Sequence, residues 1–493
     1  MLESPRILVV SFDGLRPDLI SQELTPNLWR LKAAGLTLAN HRTVYPSETR
    51  SAFPSLVTGA TPDRHGMVGN KYVDRTTLPP RYIDTSDAVL LRELDVASGG
   101  LLFSAPSLGE LLAKSGRSLA VLSTNTPGTT RLFHHKAEDL GHVRLSGHFR
   151  EACTPSDVLA DIEAQLGPLP PAPPKIEPDR AGQNWITSAF LDYVWPRCRP
   201  DVTILSFGEP DVTSHFHGTG ADQTRSIIAY CDRQFGRVLD WWDDEGRSAG
   251  VQLFALSDHG HITGHTRISV AGSLRAAGFS PGTAPGPGVD VVVVPGQVGA
   301  LYLDEMDEAT LARLVASLTA ELWCGPIFTR ARDEVNGIAP GSLSKRLVFA
   351  DHIRAPDVAF SFRTDDSDDA FGLEGGTFYD NDRRTGLGLH GGLHPKELAA
   401  VGILAGTAVP CSGASSSLPS GICDIAPTIL HLLGVSATPT MSGRVLHEAL
   451  ALAPNLIYPR EEVFEARLGD YRQILRREHV GGASYIAGGW IEC

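Results

Sequence analysis

Apolar residues in this chain fall into two kinds of grouping. Short unbroken runs, ILVVSF at 7–12, VTILSF at 202–207 and VQLFAL at 251–256, are each bounded by turn residues. That pattern predicts strands covered on both faces, as in a parallel sheet with helices on each side. Other stretches repeat at helical spacing. LTPNLWRLKAAG places Leu24, Leu28 and Leu31 on one side and stops at Gly35; ADQTRSIIAYCDRQFGRVLDWWDDEG and DIAPTILHLLG read the same way. SLGELLAKSGRSLAVLST predicts a helix followed by a strand, as in a β-α-β unit. The fold class expected is therefore α/β.

Regularity fades between about residues 128 and 180, where PLPPAPPKIEPDR reads as an exposed proline-rich insertion without evident chemistry. Residues 271–350 contain PGTAPGPGVDVVVVPG and a helical DEATLARLVASLTAELW, and are read as an inserted cap-like lobe that could cover a site. The core is then 1–270 together with 351–493. FRTDDSDDAFG is expected to be a solvated acidic loop, since it lacks the spaced ligands and terminal Glu of an EF-hand.

The 493 residues are 42% hydrophobic and 20% charged, enough apolar content for a substantial core. The formal net charge of −14 excludes a broad surface for duplex nucleic acid or anionic membrane, because such binding needs neutralisation of phosphate. No apolar stretch reaches transmembrane length. MLESPRILVVSFDG enters the first strand almost at once, leaving no room for a signal peptide, so the expected compartment is the cytoplasm. The seven cysteines lack any C-x-x-C pair and read as reduced thiols, with Cys411 and Cys423 as the one pair flanking a common loop.

Candidate chemistry lies where the strands end. The three apolar runs lead into Asp13, Asp211 and Asp258, and His259 follows the last. His215 comes four residues after Asp211, and the turn LGLHGG holds His390 before another apolar run, LAAVGILAG. Singly, an Asp after a strand is an ordinary turn former and a lone His an ordinary surface residue. Together, at the strand ends where ligands of parallel sheets gather, they make a set of oxygen and nitrogen donors suited to zinc or manganese.

Six motifs in order, SFDGLRPD, YPSETR, LVTG-x-x-P-x-x-HG-x-x-x-N, EPD-x-x-x-H, SDHG and LHGG, give the chain a resemblance to the alkaline phosphatase superfamily, and within it to the type I nucleotide pyrophosphatase/phosphodiesterase branch. The resemblance implies an alkaline-phosphatase-like three-layer α/β/α sandwich with a mostly parallel central sheet. It also implies two divalent metal ions, zinc with manganese as the alternative. Asp13, Thr49, Asp258 and His259 match one metal site, and Asp211, His215 and His390 match the other. Thr49, ten residues before Gly59, matches the nucleophile that forms a covalent phospho-threonine; Asn70, 21 residues after Thr49, matches a donor to a non-bridging phosphate oxygen.

The function implied is metal-dependent hydrolysis of phosphodiester or phosphoanhydride bonds in a small phosphorylated substrate. Where many relatives read T-F-P-N, this chain reads Thr49-Arg50-Ser51-Ala52, so a residue that often holds a nucleotide base is missing and Arg50 either binds a substrate anion or faces solvent. His217, His261, His265 and His394 lie near the chosen ligands in sequence, and His261 and His265 are further candidates for the substrate pocket. A carbon–phosphorus hydrolase like phosphonoacetate hydrolase would share the same ligands, but its carboxylate-holding lysines are not identifiable here. Phosphomonoesterase and cofactor-independent phosphomutase also use this core; a sulfatase would need the C-x-P-x-R motif that the chain lacks.

Overall fold

The computed structural model describes residues 5–294, 296–305, 307–409, 412–450 and 458–492. An eight-stranded sheet runs through the middle, in the order Ala414–Ser416, Leu36–Leu38, Gly402–Ala405, Val251–Leu256, Arg6–Phe12, Val202–Phe207, Leu119–Ser123, Val143–Ser146. The five strands from Val251–Leu256 to Val143–Ser146 are mutually parallel, and Gly402–Ala405 is antiparallel to its neighbours. The sheet is thus mostly parallel, as expected.

Alternation along the central strands divides the core in two. Ile7, Val9, Val121, Ile204 and Phe254 pack with Phe53, Leu56, Leu132 and Ile429 on one face. Leu8, Val10, Leu122, Leu205 and Leu253 pack with Leu28, Ile186, Ile227 and Phe235 on the other. Both faces are covered by helices, which is why these strands carry unbroken apolar runs and why the architecture is three-layered.

Two boundaries differ from expectation. Within 128–180, the longest irregular stretch is about 167–180: short helices at Pro127–Phe133 and Ala137–Leu140, the edge strand Val143–Ser146 and the helix Ser156–Leu166 occupy much of the rest. These elements escape periodicity because most are too short, and the edge strand carries a buried cation, Arg144, paired with Glu138 at 2.7 Å. The lobe expected at 271–350 extends to Phe362, because Val358–Phe362 lies inside its six-stranded sheet between Gly299–Leu303 and Cys324–Thr329. The acidic stretch at 364–368 is solvent-exposed but extended, pairing as an edge strand with Glu374–Tyr379.

The C-terminal strands Arg460–Leu468, Tyr471–Val480 and Ala483–Glu492 form an antiparallel sheet that packs against the inserted one, beyond the core where sequence placed them. Buried Gln473 accepts from Ile327 N–H at 2.8 Å and donates to its carbonyl at 3.2 Å, continuing strand-like bonding across the junction. The five cysteines among the described residues are free thiols. Cys423 is a buried donor to the Ala60 carbonyl, while Cys411 lies outside the described residues.

Asp424 ties this C-terminal sheet to the core. It accepts from Gly421 N–H, Tyr485 hydroxyl and Arg444 N–H, each at 2.8 Å. Burial pushes its carboxyl up to about 6, although these donors and Arg444 pull the other way. A folded-state value above the unfolded one stabilises most at low pH and loses that contribution as pH rises through the folded value. The group is therefore expected to withdraw about 3 kcal/mol of stability between pH 4 and pH 7. Denaturant unfolding of Asp424→Asn across that range should lack this component of the slope, with about 1–3 kcal/mol lost throughout because an amide cannot accept from all three donors.

Candidate metal centre

Adjacent parallel strands end at the same level, so the residues following them meet. Arg6–Phe12 delivers Asp13, Val202–Phe207 leads to Asp211 at the start of the helix Asp211–His217, and Val251–Leu256 delivers Asp258 and His259. His390 arrives from elsewhere: the short strand Gly388–Leu389 pairs antiparallel with Ile262–Arg267, which follows His259 closely. Gly14 makes the turn after Asp13 with a φ of +70°, and a Cβ there would sit 2.3 Å from the His261 ring, so only glycine fits. Its N–H donates to Asp258 Oδ1 at 2.9 Å.

Thr49 begins the helix Thr49–Thr58, which ends at Gly59. Its Oγ1 lies 3.2 Å from His259 Nε2. The same nitrogen is 3.3 Å from Asp258 Oδ2 and 3.6 Å from Asp13 Oδ1, so the four side chains matched to one metal site converge. The second set converges as well, on Asp211 Oδ1: His215 Nε2 and His390 Nε2 are each 3.3 Å away, and 3.2 Å from one another. His261 Nε2 joins that group at 3.1 Å from the same oxygen.

Hydrogen bonds fix where the protons are. Nδ1 of His215, His259, His261 and His390 faces the carbonyl of Gly388, Gly260, Gly14 and Ser47 respectively, at 2.7–3.0 Å. A carbonyl only accepts, so each Nδ1 carries the hydrogen and each neutral ring turns the lone pair of Nε2 inward. The carboxylates are arranged alike. Asp13 Oδ1, Asp211 Oδ1 and Asp258 Oδ2 are buried without a hydrogen-bond donor, as is His261 Nε2. Lone pairs thus face lone pairs, an arrangement that cations would satisfy; the donor chemistry and the outward hydrogen bonds both fit divalent metal.

Electrostatics tell the same story. Burial, with Asp258 and Asp211 nearby, holds Asp13 well above the carboxylate range, and burial pushes Asp258 up to about 7. Burial would raise Asp211 too, but His215, His261 and His390 hold it well below that range. Burial lowers His215, His259 and His261, whereas for His390 it is outweighed by Asp211, and that ring is raised. Without a cation, this cluster relieves its charge by taking up protons.

Around this centre, Asn70 Oδ1 accepts from Arg50 N–H at 3.1 Å, beside Thr49. Arg50 is anchored by Nε to Thr85 Oγ1 at 2.8 Å, and burial lowers its basicity. It lines, with Asp13, Thr49 and Asp211, a cleft of about 200 Å³. His265 does not join the centre: part-buried on the strand Ile262–Arg267, it sits beside Asp365 and Thr266. His217 bonds to the Ile176 carbonyl and His394 to Asp366.

Sequence reasoning missed three features. His261 contacts Asp211 rather than lining the cleft, a placement signalled only by its separation of two residues from His259. Asn125, just after the Leu119–Ser123 strand, bonds to Asp13; it stands at a strand end like the aspartates, but an amide is easily passed over. The proline-rich segment is a wall of the cleft through Ala172, Pro173, Lys175 and Glu177. Its anchor is Asp179, which pairs with His148 at 2.9 Å and accepts from Gly182 N–H at 2.9 Å.

Comparison with known proteins gives this geometry a context. A family model described as type I phosphodiesterase/nucleotide pyrophosphatase matches residues 7–365. Ectonucleotide pyrophosphatase/phosphodiesterase family member 1 of Mus musculus is 25% identical over 260 residues, 52% of this chain and 24% of that protein. Member 7 of Rattus norvegicus is 23% identical over 264 residues, 54% of this chain and 52% of that protein. The chain therefore spans between about a quarter and about half of these relatives' own length. Among solved structures, murine ectonucleotide pyrophosphatase/phosphodiesterase 5 in complex with AMP superposes with a TM-score of 0.62, covering 91% of this chain and 100% of that one. At 15% identity the likeness is one of fold.

A divalent metal ion is expected to stabilise the folded chain by about 4 kcal/mol at a thousand times its dissociation constant, read as a rise in melting temperature that a chelator reverses. In elemental analysis, His215→Ala and His390→Ala should each hold about one ion fewer than the wild type, while His265→Ala should match it.

Proposed function

The chain belongs to the type I phosphodiesterase/nucleotide pyrophosphatase family, and from that premise we propose that it is a metal-dependent hydrolase of phosphodiester or phosphoanhydride bonds acting through a phospho-threonine. The observation that carries this reading is Thr49 Oγ1 standing 3.2 Å from His259 Nε2, beside carboxylate oxygens left without donors and at the mouth of a cleft. Asp13, Thr49, Asp258 and His259 would hold one divalent ion, zinc or manganese, and Asp211, His215 and His390 the other. When bound, such ions supply a lowered pKa for the threonine hydroxyl and for water, and neutralise charge on the phosphoryl oxygens.

The residues themselves do the rest. Thr49 Oγ attacks phosphorus, the ester or anhydride oxygen departs, and water later cleaves the phospho-threonine, restoring the hydroxyl. Thr49 sits in the first turn of a ten-residue helix, whose N-terminal amides favour the phosphoryl charge. The Arg50 N–H held by Asn70 Oδ1 orients that amide, leaving its NH₂ as a neutral donor for a non-bridging oxygen.

A second reading is favoured by the cleft wall. Arg50 and Lys175 both border it, so a substrate with an additional anionic group, such as a phosphonoacetate or a monoester, meets two cations, one of them the lysine that the sequence did not single out.

Thr49→Ala is expected to lower kcat/KM for bis(p-nitrophenyl) phosphate at least about a thousandfold while both metals stay bound. Full activity in that variant removes the nucleophile assignment. Asn70→Ala should cost about a hundredfold, mainly in kcat, as loss of a transition-state donor does. A panel of diesters, nucleoside triphosphates, monoesters and phosphonates separates the two readings: Lys175→Ala should raise KM for substrates with the extra anion and leave simple diesters unchanged.

A further inference from the structure

The two oxygens of Asp13 have different surroundings. Oδ1 has no donor and faces His259 Nε2 at 3.6 Å, whereas Oδ2 accepts a 2.5 Å hydrogen bond from Asn125 Nδ2. Asn125 cannot turn over. Its Oδ1 accepts from Ser123 Oγ and Ser206 Oγ, each at 2.9 Å, and its own N–H donates to Ser123 Oγ at 3.1 Å. The side chain is only 6% exposed, and a flipped amide would set its carbonyl oxygen against the carboxylate of Asp13 and forfeit that hydrogen bond.

The clamp is built into the sheet. Ser123 and Ser206 are register partners on adjacent parallel strands, and Ser206 is paired in turn with Ser11, two residues before Asp13. Two neighbouring strands thus fix one amide, and the amide fixes one carboxylate oxygen at the end of a third. Asp258 is treated the same way by the backbone: Gly14 N–H takes Oδ1 and leaves Oδ2 without a donor.

We propose that Asn125 is a positioning residue for the metal site of Asp13, Asp258 and His259, a role that rests on the reading of Asp13 as a metal ligand. By occupying Oδ2 it confines Asp13 to binding through Oδ1 alone. A one-oxygen carboxylate takes one position at the cation, leaving room for Thr49 and a phosphoryl oxygen. Because the amide is neutral, the constraint is imposed without cancelling the aspartate's charge, and outer-sphere partners of this kind set the orientation of ligands.

The test is zinc binding to the full chain, titrated against a competing chelator, with Asp13→Ala identifying which of the two affinities belongs to this site. Asn125→Ala is expected to weaken that affinity about 10–100-fold and leave the other at its wild-type value. Unchanged affinities, or equal loss at both sites, overturn the assignment, since a residue that merely supports the fold would not discriminate between them. If Asn125→Ala does not fold, the Ser123→Ala/Ser206→Ala pair decides: it keeps the amide but frees it to rotate, and should weaken the same site by a smaller factor. Unchanged zinc binding in that pair overturns the proposal. Wild-type protein that takes up no zinc overturns both this role and the reading beneath it. Two-ion binding with the one-site loss, but no hydrolysis of any ester, supports Asn125's role while the hydrolase reading fails.

Discussion

Three carboxylates and four imidazoles share one buried end of a sheet with their lone pairs turned toward each other, and the arrangement is tolerable only with positive charge among them. Asp211 Oδ1 alone has three imidazole nitrogens within 3.3 Å. In water such groups would repel mildly and solvate; in a dry interior, unpaired acceptors cost several kcal/mol each. Everything around the centre keeps them from relaxing. Four backbone carbonyls hold the rings by Nδ1, Gly14 holds one oxygen of Asp258, and Asn125 holds one of Asp13. The protein's own energy is thereby committed to a site that a cation completes.

The scaffold makes this possible because parallel strands end together. Asp13, Asp211 and Asp258 are far apart in sequence but follow three strands that are neighbours in the sheet. Rigidity comes from burial on both faces, with the two apolar cores on either side of the same strands. The turns that carry these aspartates can then be specialised, as at Gly14, without the frame yielding. The remaining surface of the cleft is contributed by an irregular segment anchored through Asp179.

Much of this was legible in the chain. Unbroken apolar runs announced doubly covered strands, and carboxylates placed immediately after them announced a common site, because strand and turn are local features. His390 was legible through its motif, which matched it to the same site as Asp211 and His215; the pairing of Leu389 with Ile262 is what carries it there. Asn125 and the cleft wall were not legible, since an amide after a strand and a run of prolines have ordinary explanations until their neighbours are known. Arg144 hid an edge strand for the complementary reason: a charge inside a strand reads as exposed until its partner Glu138 is seen.

By itself, the sequence determined which residues could do chemistry and on which kind of element each would stand, because hydrophobic period and turn composition act over a few residues. Tertiary structure decided which lone pairs face one another, which oxygen of each aspartate is left open, that His261 joins Asp211 while His265 does not, and that the proline-rich segment borders the cleft. Those outcomes depend on strand order, register and hydrogen-bond direction between segments hundreds of residues apart, and no local pattern encodes them.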